Sequence, residues 1–236
     1  MTKGLINSIE TLGTLDGPGI RFVAFLQGCK LRCLYCHNPE TWSMNGHTIE
    51  ITPQELVEKV EKYRNYFGTD GGVTFSGGEP LLQPEFLLEC LKLLKKKKIH
   101  TCVDTAGFGF GDYSEILKYT DLVLLDVKAV EVEEYQHITG QKMDKFNEFV
   151  SAVKNANTKL WLRQVIVPGI NDTKEHVEKL KQFASTLKNV EKIELLPYKT
   201  IGVQKYKTLN LPYRLEGIED LSQEKLNELN QILNNQ

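Results

Sequence analysis

The sequence predicts an α/β fold, a partial (β/α)6 TIM-like barrel with parallel strands. Three observations predict it. Apolar strand-like runs alternate with helix-like segments along the chain, which is the order typical of a parallel sheet. The first run is almost continuously apolar, as expected for a strand buried on both faces. Six strand–helix units are too few for a complete eight-stranded barrel, so we expect the barrel to be open.

Six segments have the length and composition of β-strands. The first of them, IRFVAFL at 20–26, shows the apolar character most clearly, and the others are likewise short and rich in β-branched or aromatic residues. The predicted strands cover residues 20–26, 72–76, 99–105, 121–128, 160–167 and 192–196.

Helical segments lie between these strands. Thr52-Pro-Gln-Glu55 is a capping box with proline at the first helical position. Asp172-Thr-Lys-Glu175 reads as a second capping box. Ser222 is the expected N-cap of the last helix. The predicted helices cover about 53–67, 84–97, 113–119, 144–155, 172–187 and the segment after 222.

Size and composition are those of an ordinary globular protein. The 236 residues are 41% hydrophobic and 25% charged, which suits one α/β domain or two small ones. We expect a single domain over 1–236, with an N-terminal extension at 1–19, a (β/α)6 core at 20–200 and a C-terminal loop and helix at 201–236.

Charge and hydropathy exclude two classes of partner. The net charge of -2 argues against nucleic-acid binding. No apolar run approaches the roughly 18 residues of a membrane span, and the N-terminus lacks the apolar segment of a signal peptide. An odd total of five cysteines argues against a disulfide framework and favours a reducing compartment. We therefore expect a cytoplasmic protein with no membrane partner.

The spacing of three cysteines, Cys29-x3-Cys33-x2-Cys36, is the strongest functional signal. Three thiolates can hold an iron–sulfur cubane and leave one iron without a protein ligand, whereas electron-transfer clusters normally have every iron capped. An open metal position can bind and activate a substrate. The alternative is a structural zinc site, which needs four ligands and is typically built from two separated pairs. His37 directly follows Cys36, which makes it difficult for both side chains to bind the same metal ion. The sequence contains no second pair of metal ligands.

A glycine pair after the second predicted strand is the next signal. In Ser76-Gly-Gly-Glu-Pro80, the glycines let the backbone approach a ligand closely and adopt positive φ. Alone, this motif is more typical of a turn. Its position after a strand and downstream of the cysteine loop instead indicates a site for an amino-acid-like ligand.

Polar residues follow every predicted strand. Ligands of parallel α/β sheets bind at the carboxyl ends of the strands, so these residues should meet on one rim. Isolated aspartates at such positions also cap the segments that follow, but their shared strand-end position favours function. The rim residues are Cys29, Gly77-Gly78-Glu79, Asp104-Thr105, Asp126, Lys128, Pro168-Gly169 and Pro197-Tyr198-Lys199.

Together these motifs resemble the radical S-adenosylmethionine (radical SAM) superfamily. The resemblance rests on the cysteine spacing, with an aromatic residue before the last cysteine, and on the Gly-Gly-Glu-Pro motif. Within the superfamily, the chain resembles the activating enzymes of glycyl radical enzymes over nearly its whole length. The segments that carry this are Asp16-Gly-Pro-Gly-Ile-Arg21, Tyr35-Cys-His-Asn-Pro39, Asp104-Thr105, Asp126-Val-Lys128 and Glu194-Leu-Leu-Pro-Tyr198.

The resemblance implies a radical SAM core and a mechanism. The open iron of a [4Fe-4S] cluster is chelated by the amino and carboxylate groups of S-adenosylmethionine. One electron from the cluster cleaves the sulfur–carbon bond, which yields methionine and a 5′-deoxyadenosyl radical. That radical takes a hydrogen atom from a glycine Cα of the partner enzyme. The partners implied are formate C-acetyltransferase, through its glycyl radical loop, and a flavodoxin or ferredoxin electron donor. We expect the protein to act as a monomer.

The resemblance also implies residue roles. Lys128 is expected to face the cofactor carboxylate, and Leu124 to contribute its backbone. At Lys199 many family members carry a histidine, so its role is open. The implied cluster ligands are Cys29, Cys33 and Cys36, and the implied substrate contacts are Asp16 and Asn38. The implied cofactor contacts are Tyr35, Cys36, His37, Gly77, Gly78, Glu79, Asp126, Val127, Lys128 and Lys199. The implied ligands of a monovalent cation, Na⁺ or K⁺, are Asp104, Thr105, Leu124 and Asp126.

Some residues receive simpler interpretations. Cys90 and Cys102 are expected to pack in the core. The remaining histidines, His47, His100, His137 and His176, have no ligand-like spacing. Many related activases insert a cysteine-rich segment before the Gly-Gly-Glu motif, but 42–72 contains no cysteine. That absence favours the type that acts on formate C-acetyltransferase over an activase of another glycyl radical enzyme.

Overall fold

The computed structural model describes residues 2–46 and 48–234; the interpretation of His47 lies outside them. Its strands form one sheet in the order β3-β1-β2-β4-β5-β6-β7-β8. All neighbours from β2 to β8 are parallel. The order is linear, with β3 and β8 at the edges, so the predicted partial barrel is confirmed. The strands are β1 Gly4–Gly13, β2 Arg21–Leu26, β3 Ile49–Ile51, β4 Gly72–Gly77, β5 His100–Thr105, β6 Leu122–Asp126, β7 Lys159–Ile166 and β8 Val190–Pro197.

The six predicted strands correspond to the six parallel strands, but β1 and β3 were not predicted. Strand β1 pairs antiparallel with β2 and with β3, for example through Ile6 opposite Leu26 and opposite Ile49. Its burial alternates along the chain, so only one face is apolar. Such a half-polar sequence lacks the continuous apolar run that identified the inner strands.

Helices connect the parallel strands, and most were predicted within a few residues. The segment predicted over 53–67 is shorter, since α1 ends at Glu61 and a 3-10 turn follows at Arg64–Tyr66. Helices α4 and α7 were not predicted. The helices are α1 Pro53–Glu61, α2 Pro84–Lys96, α3 Tyr113–Lys118, α4 Val132–Thr139, α5 Asp144–Asn155, α6 Lys174–Ser185, α7 Val203–Thr208 and α8 Gln223–Asn234.

The helix caps test the sequence signals one by one. The Thr52 box is confirmed, because the Thr52 hydroxyl accepts from the Glu55 amide and the Glu55 carboxylate accepts from the Thr52 amide. Ser222 accepts from the Lys225 amide at 3.1 Å, as expected. The Asp172 box was wrong: α6 is capped by Thr173, while the Asp172 carboxylate accepts from the backbone of the turn after β7.

Arg21, at the start of β2, is fully buried and organises the interior of the sheet. Its Nε donates to Thr74 Oγ1 at 3.0 Å, and one terminal nitrogen donates to the Val73 carbonyl at 2.5 Å. The Thr74 hydroxyl donates in turn to the Asp16 carbonyl at 2.7 Å. The loop that carries Asp16 is therefore attached to the sheet through a buried chain of hydrogen bonds.

His100 lies at the other side of this guanidinium. Its Nδ1 is 3.2 Å from an Arg21 terminal nitrogen. Burial, with help from the Arg21 charge, lowers the pKa of His100, so the neutral ring accepts the hydrogen bond from Arg21.

No helix within the described residues is long and apolar enough to span a bilayer.

Candidate active site

The carboxyl ends of the parallel strands surround a cavity of about 360 Å³. Cavities of roughly 300–1,000 Å³ are typical of small-molecule sites. The rim prediction is confirmed for five of the six parallel strands, because residues at their carboxyl ends meet here, but Pro168-Gly169 after β7 does not line the cavity. The predicted residues that line the cavity are Asp16, Cys29, Cys33, Tyr35, Cys36, His37, Asn38, Gly77, Gly78, Glu79, Asp104, Thr105, Asp126 and Lys128.

The cysteine loop follows β2 and is anchored to the end of α4. The Arg32 amide donates to the Thr139 carbonyl at 2.7 Å, and the Leu34 amide donates to the Ile138 carbonyl at 3.0 Å. These bonds fix the backbone on both sides of Cys33. The sequence could not reveal this anchor, because α4 itself was not recognised.

The three thiols present a purely sulfur donor set at one wall of the cavity. Cys29 and Cys33 pack against an apolar cluster of Leu31, Ala106 and Phe108. Burial raises the pKa of all three thiols, that of Cys33 to about 11. Cysteine thiolates are the ligands of iron–sulfur clusters, and ligand binding to a metal requires and drives deprotonation. The residues therefore fit a cluster that binds with release of protons.

No three Cys, His, Asp or Glu side chains within residues 2–46 and 48–234 converge closely enough to hold a single metal ion. The three cysteines nevertheless line the same cavity. All five cysteines are free thiols, and Cys90 and Cys102 are buried in the core as predicted.

Trp42 and Tyr206 lie behind Cys36. The Trp42 side chain forms a hydrogen bond with the Cys36 sulfur that lowers the pKa of the thiol, against the larger effect of burial. The Tyr206 hydroxyl donates to the Cys36 carbonyl at 3.1 Å, and the two rings meet edge to face. The Trp42 carbonyl also accepts from the Cys29 amide at 3.1 Å. Sequence analysis did not single out either aromatic residue.

The glycine pair brings the end of β4 against the cysteine loop. The Glu79 amide donates to the Gly28 carbonyl at 2.8 Å. A Cβ on Gly78 would lie 2.2 Å from that carbonyl oxygen. Gly77 has φ +105°, and a Cβ on it would lie 2.4 Å from the Leu26 backbone nitrogen. Neither position accepts a side chain. The close approach leaves the backbone of this loop exposed to the cavity.

Glu79 is almost completely buried, and it ties the glycine loop to the end of β5. Its carboxylate accepts from the Thr105 hydroxyl at 2.6 Å and from the amides of Ala106 and Leu81 at 2.9 and 3.1 Å. Burial outweighs these three hydrogen bonds and raises the pKa of Glu79 to about 7. The Thr105 hydroxyl is thereby committed to Glu79.

A charged cluster lies beside the cysteine loop, where Lys128 Nζ is 5.5 Å from the ring centre of Tyr35. Lys128 Nζ is 2.8 Å from Asp126 Oδ2, and the Lys128 side chain is only 11% exposed. Burial opposes ionisation of Asp126, but the charges of Lys128 and Arg163 outweigh it and keep the pKa of Asp126 below its ordinary value. For Asp104, burial raises the pKa; Arg163 opposes this and the Asp126 charge adds to it. The Ser76 hydroxyl donates to Asp104 at 2.7 Å.

Arg163 is a site residue that sequence analysis missed. It lies on β7 and lines the cavity with Val165; the two are separated by two positions and therefore share a face of the strand. Its nearest charge is Asp104, at 3.8 Å. Two of its nitrogens, Nε and one terminal nitrogen, are buried without a hydrogen-bond partner. Buried donors of this kind are normally satisfied, so they are available to an acceptor on a bound molecule. The sequence signal that could have identified Arg163 is a polar residue within an otherwise apolar strand.

Three predicted site residues do not line the cavity. Leu124 and Val127 are fully buried, so only their backbone is available. The Lys199 side chain points to solvent and pairs with Asp220 at 3.2 Å. Its carbonyl instead contacts His37 Nε2 at 3.0 Å, so the position supports the cysteine loop through its backbone.

The two residues predicted to face the substrate, Asp16 and Asn38, both line the cavity. Burial, with a contribution from the Asp104 charge, raises the pKa of Asp16 to about 6. Asn38 Oδ1 accepts from Lys205 Nζ at 2.9 Å. Both side chains are half-buried and remain accessible from the cavity.

Comparison with known proteins agrees with this geometry. Residues 23–184 match the Radical SAM superfamily. A pyruvate formate-lyase-activating enzyme of Clostridium pasteurianum is 53% identical over 234 residues, which are 99% of this chain and 98% of the relative. One from Staphylococcus epidermidis is 43% identical over 242 residues, covering 99% of this chain and 96% of the relative. The crystal structure of a domain of pyruvate-formate lyase-activating enzyme from Bacteroides vulgatus has a TM-score of 0.55 at 27% identity and covers 69% of this chain and 92% of that chain.

The fold, the three-cysteine loop and the match over residues 23–184 define the class of enzyme. The chain belongs to the radical SAM superfamily and, within it, to the family of pyruvate formate-lyase-activating enzymes. Membership implies a [4Fe-4S] cluster and S-adenosylmethionine, and the sulfur donor set and adjoining cavity fit both. The predicted family resemblance is therefore confirmed, while the roles of individual residues stay predictions.

Proposed function

We propose that this protein activates pyruvate formate-lyase, also called formate C-acetyltransferase, under anaerobic conditions by generating a glycyl radical in it. The observation that carries the proposal is the shared cavity of three cysteines and a glycine-lined backbone, in a chain 53% identical to an enzyme of that name. When bound, the cluster supplies the one electron that cleaves S-adenosylmethionine into methionine and a 5′-deoxyadenosyl radical, which takes a hydrogen atom from the glycine.

Under this proposal, the residues of the cavity hold the cofactor in place. Cys29, Cys33 and Cys36 hold the cluster and leave one iron open. The backbone at Gly77 and Gly78 faces the methionine amino group, because its glycines allow close approach. Lys128, almost buried beside Asp126, offers a charge-assisted hydrogen bond to the carboxylate.

The aromatic and apolar residues keep the site dry. Tyr35 and His37 line the cavity beside Cys36, and we propose that they pack on the adenine. Leu31, Ala106 and Phe108 cover the other two cysteines. Exclusion of water strengthens the electrostatic contacts and suppresses side reactions of a radical.

Arg163, Asp104 and Asp16 lie close together in the lining of the cavity. We propose that Asp16 and Asn38 contact the glycine loop of the partner, and that Arg163 donates to an acceptor in the closed complex. The glycine loop must leave its own protein to enter this cavity, and ordering it has a free-energy cost. A transient complex is the consequence.

We also propose a monovalent cation site at Asp104, Thr105, Asp126 and the Leu124 backbone. Its support is the position of two carboxylates on adjacent strands, β5 and β6. The Thr105 hydroxyl already donates to Glu79, so its contact to a cation would use an oxygen lone pair. Replacement of Na⁺ and K⁺ by tetramethylammonium should weaken cofactor binding; equal binding in both buffers would contradict this site.

The remaining proposals concern the setting of the reaction. The electron donor is a small flavodoxin or ferredoxin, because the cluster needs single electrons. The protein acts as a monomeric, single-domain enzyme in the cytoplasm, a location supported by its five free thiols.

The test is activation itself. The anaerobically reconstituted protein is mixed with S-adenosylmethionine, a reductant and pyruvate formate-lyase, and the glycyl radical is measured by electron paramagnetic resonance (EPR). Cys36→Ser should abolish the signal, while Cys90→Ser, which alters a buried thiol in α2, should retain it. A radical on a different glycyl radical enzyme but none on pyruvate formate-lyase would overturn the substrate. No cleavage of S-adenosylmethionine would favour a structural metal site instead.

A further inference from the structure

A group of cations covers the outer surface of the cysteine loop. Lys30 and Arg32 lie within the loop and are exposed, and neither lines the cavity. Lys30 Nζ is 4.8 Å from the ring centre of Phe110, and Lys145 Nζ is 5.5 Å from the same ring. The Arg214 guanidinium donates to the Arg32 carbonyl. We call Lys30, Arg32, Lys145 and Arg214, with the exposed Phe110 between the lysines, the cationic strip.

Three of the four cations of the strip have no acidic partner within the described residues. Among the described residues, Lys30, Arg32 and Arg214 form no salt bridge, while Lys145 pairs with Glu148 at 2.6 Å. The whole chain has a net charge of -2, so the strip is a local excess of positive charge. Its apolar centre, Phe110, is 42% exposed. A positive rim around an exposed aromatic ring is the composition of a protein-binding surface.

The strip is also next to the cluster ligands along the chain. Lys30 and Arg32 are each bonded to a ligand cysteine, so their Cα atoms lie about 3.8 Å from those of Cys29 and Cys33. One Arg32 terminal nitrogen donates to the Cys29 carbonyl at 2.7 Å. Only the loop itself separates the strip from the cavity, where Leu31 packs on both cysteines.

We propose that the cationic strip is the docking surface for an acidic electron-donor protein. This rests on the proposed function, which requires single electrons. The cavity side of the loop must hold the cofactor and admit the partner glycine, so electrons have to enter through the outer side. Charge complementarity identifies an acidic donor. Attraction of this kind acts mainly on the association rate.

The first experiment measures reduction of the cluster directly. Stopped-flow absorbance follows cluster bleaching by a pre-reduced acidic flavodoxin in wild type and in Lys30→Glu/Lys145→Glu. At low ionic strength we expect the second-order rate constant to fall about tenfold or more. The difference should shrink as salt shortens the screening length. Reduction by photoreduced deazaflavin, a small neutral reductant, should be unchanged, as should the iron content.

A matched control separates location from net charge. Lys96→Glu/Lys188→Glu makes the same change in charge at two exposed lysines that form no salt bridge among the described residues. Lys96 is the last residue of α2 and Lys188 follows α6, so both lie at the opposite rim, where the strands begin. This variant should keep most of the wild-type rate. An equal fall in both double variants, or no fall in either, would overturn the proposal.

The strip has one competing occupant, the glycyl radical enzyme itself. If Lys30→Glu/Lys145→Glu raised the KM for pyruvate formate-lyase with deazaflavin as reductant, while flavodoxin reduced the cluster normally, the strip would belong to that partner and the proposal would be wrong. Failure of the proposed function would look different: the wild type would form no glycyl radical with any reductant, although its cluster was reduced.

Discussion

Thr74→Val tests the buried chain of hydrogen bonds that holds the Asp16 loop. Valine has nearly the shape of threonine, but it can neither accept from Arg21 Nε, now at 3.0 Å, nor donate to the Asp16 carbonyl, now at 2.7 Å. Thr74 and Arg21 are both fully buried, so water cannot replace either bond. The change therefore leaves a buried guanidinium nitrogen and a backbone carbonyl short of a partner.

The expected cost follows from the two bonds. A hydrogen bond to a charged group contributes about 1.5–3 kcal/mol, and a neutral one about 0.5–1.5 kcal/mol. Thr74→Val should therefore lower the free energy of unfolding by roughly 2–4 kcal/mol. Thr74→Ser keeps the hydroxyl and loses one methyl group, which costs about 1 kcal/mol. The predicted order of stability, with the wild type most stable, Thr74→Ser intermediate and Thr74→Val least stable, does not depend on the exact values.

Two assays check this prediction. Urea unfolding of the apoprotein gives the free energies, from midpoints compared at equal slope. Activation kinetics with a glycine-loop peptide should show a larger rise in KM for Thr74→Val than for Thr74→Ser, because the Asp16 loop is less well positioned. A valine variant as stable as wild type, or less affected than the serine variant, would refute the reasoning.

Three further predictions concern single positions in the site. Asp16→Asn should flatten the pH dependence of stability. The pKa of Asp16 rises from 3.8 to about 6 on folding, so the wild type loses stability as pH rises between these values. In urea unfolding at pH 8 the variant should be about 1 kcal/mol more stable than the wild type, after allowance for the partial exposure of Asp16. An unchanged difference at pH 4 and pH 8 would contradict this. Gly78→Ala places a methyl group 2.2 Å from the Gly28 carbonyl oxygen, and such overpacking costs roughly 1–3 kcal/mol. The variant should therefore bind S-adenosylmethionine about tenfold more weakly in calorimetry. An affinity equal to that of the wild type would argue against close approach of the backbone to the cofactor. Trp42→Phe removes the hydrogen bond to the Cys36 sulfur. The reduction potential of the cluster should fall by about 40 mV, equivalent to about 1 kcal/mol for one electron. A potential equal to that of the wild type in a spectroelectrochemical titration would exclude this role for Trp42.

The parallel core could be predicted from sequence largely because β2, β4, β5 and β6 are buried on both faces. Segments such as 20–26 are then continuously apolar, and their order alone implies a shared rim at which the polar strand ends meet. The half-polar β1 and the three-residue β3 carry no such signal. Strand β1 forms because β2 offers an unpaired edge, and β3 forms on the free edge of β1; both are tertiary properties.

The site was predicted to the extent that its chemistry depends on local motifs. The cysteine spacing and the glycine pair could be read directly, and the structure brings both to one cavity. Arg163 was missed because its function arises from the strands that surround it. Lys199 stands where many family members carry a histidine, and its role was left open; Asp220, a residue distant in sequence, holds its side chain at the surface.

The cap of α6 illustrates competition between local signals. Asp172 and Thr173 are both good N-cap residues, and a capping box favours Asp172 because Glu175 follows at the required spacing. The Asp172 carboxylate accepts instead from the Gly169 amide at 2.9 Å. That turn follows β7, so the choice of cap depends on the chain direction after the strand.

The central claim is an iron atom with no protein ligand in a cluster held by three cysteines. It is tested most directly by the EPR spectrum of the reduced, reconstituted protein, recorded before and after addition of S-adenosylmethionine. About four irons per chain and a clear change in the g-values on addition are predicted, because the cofactor binds the open iron. A spectrum that S-adenosylmethionine leaves unchanged, in a protein with full iron content, would show that every iron is already capped and would contradict the claim.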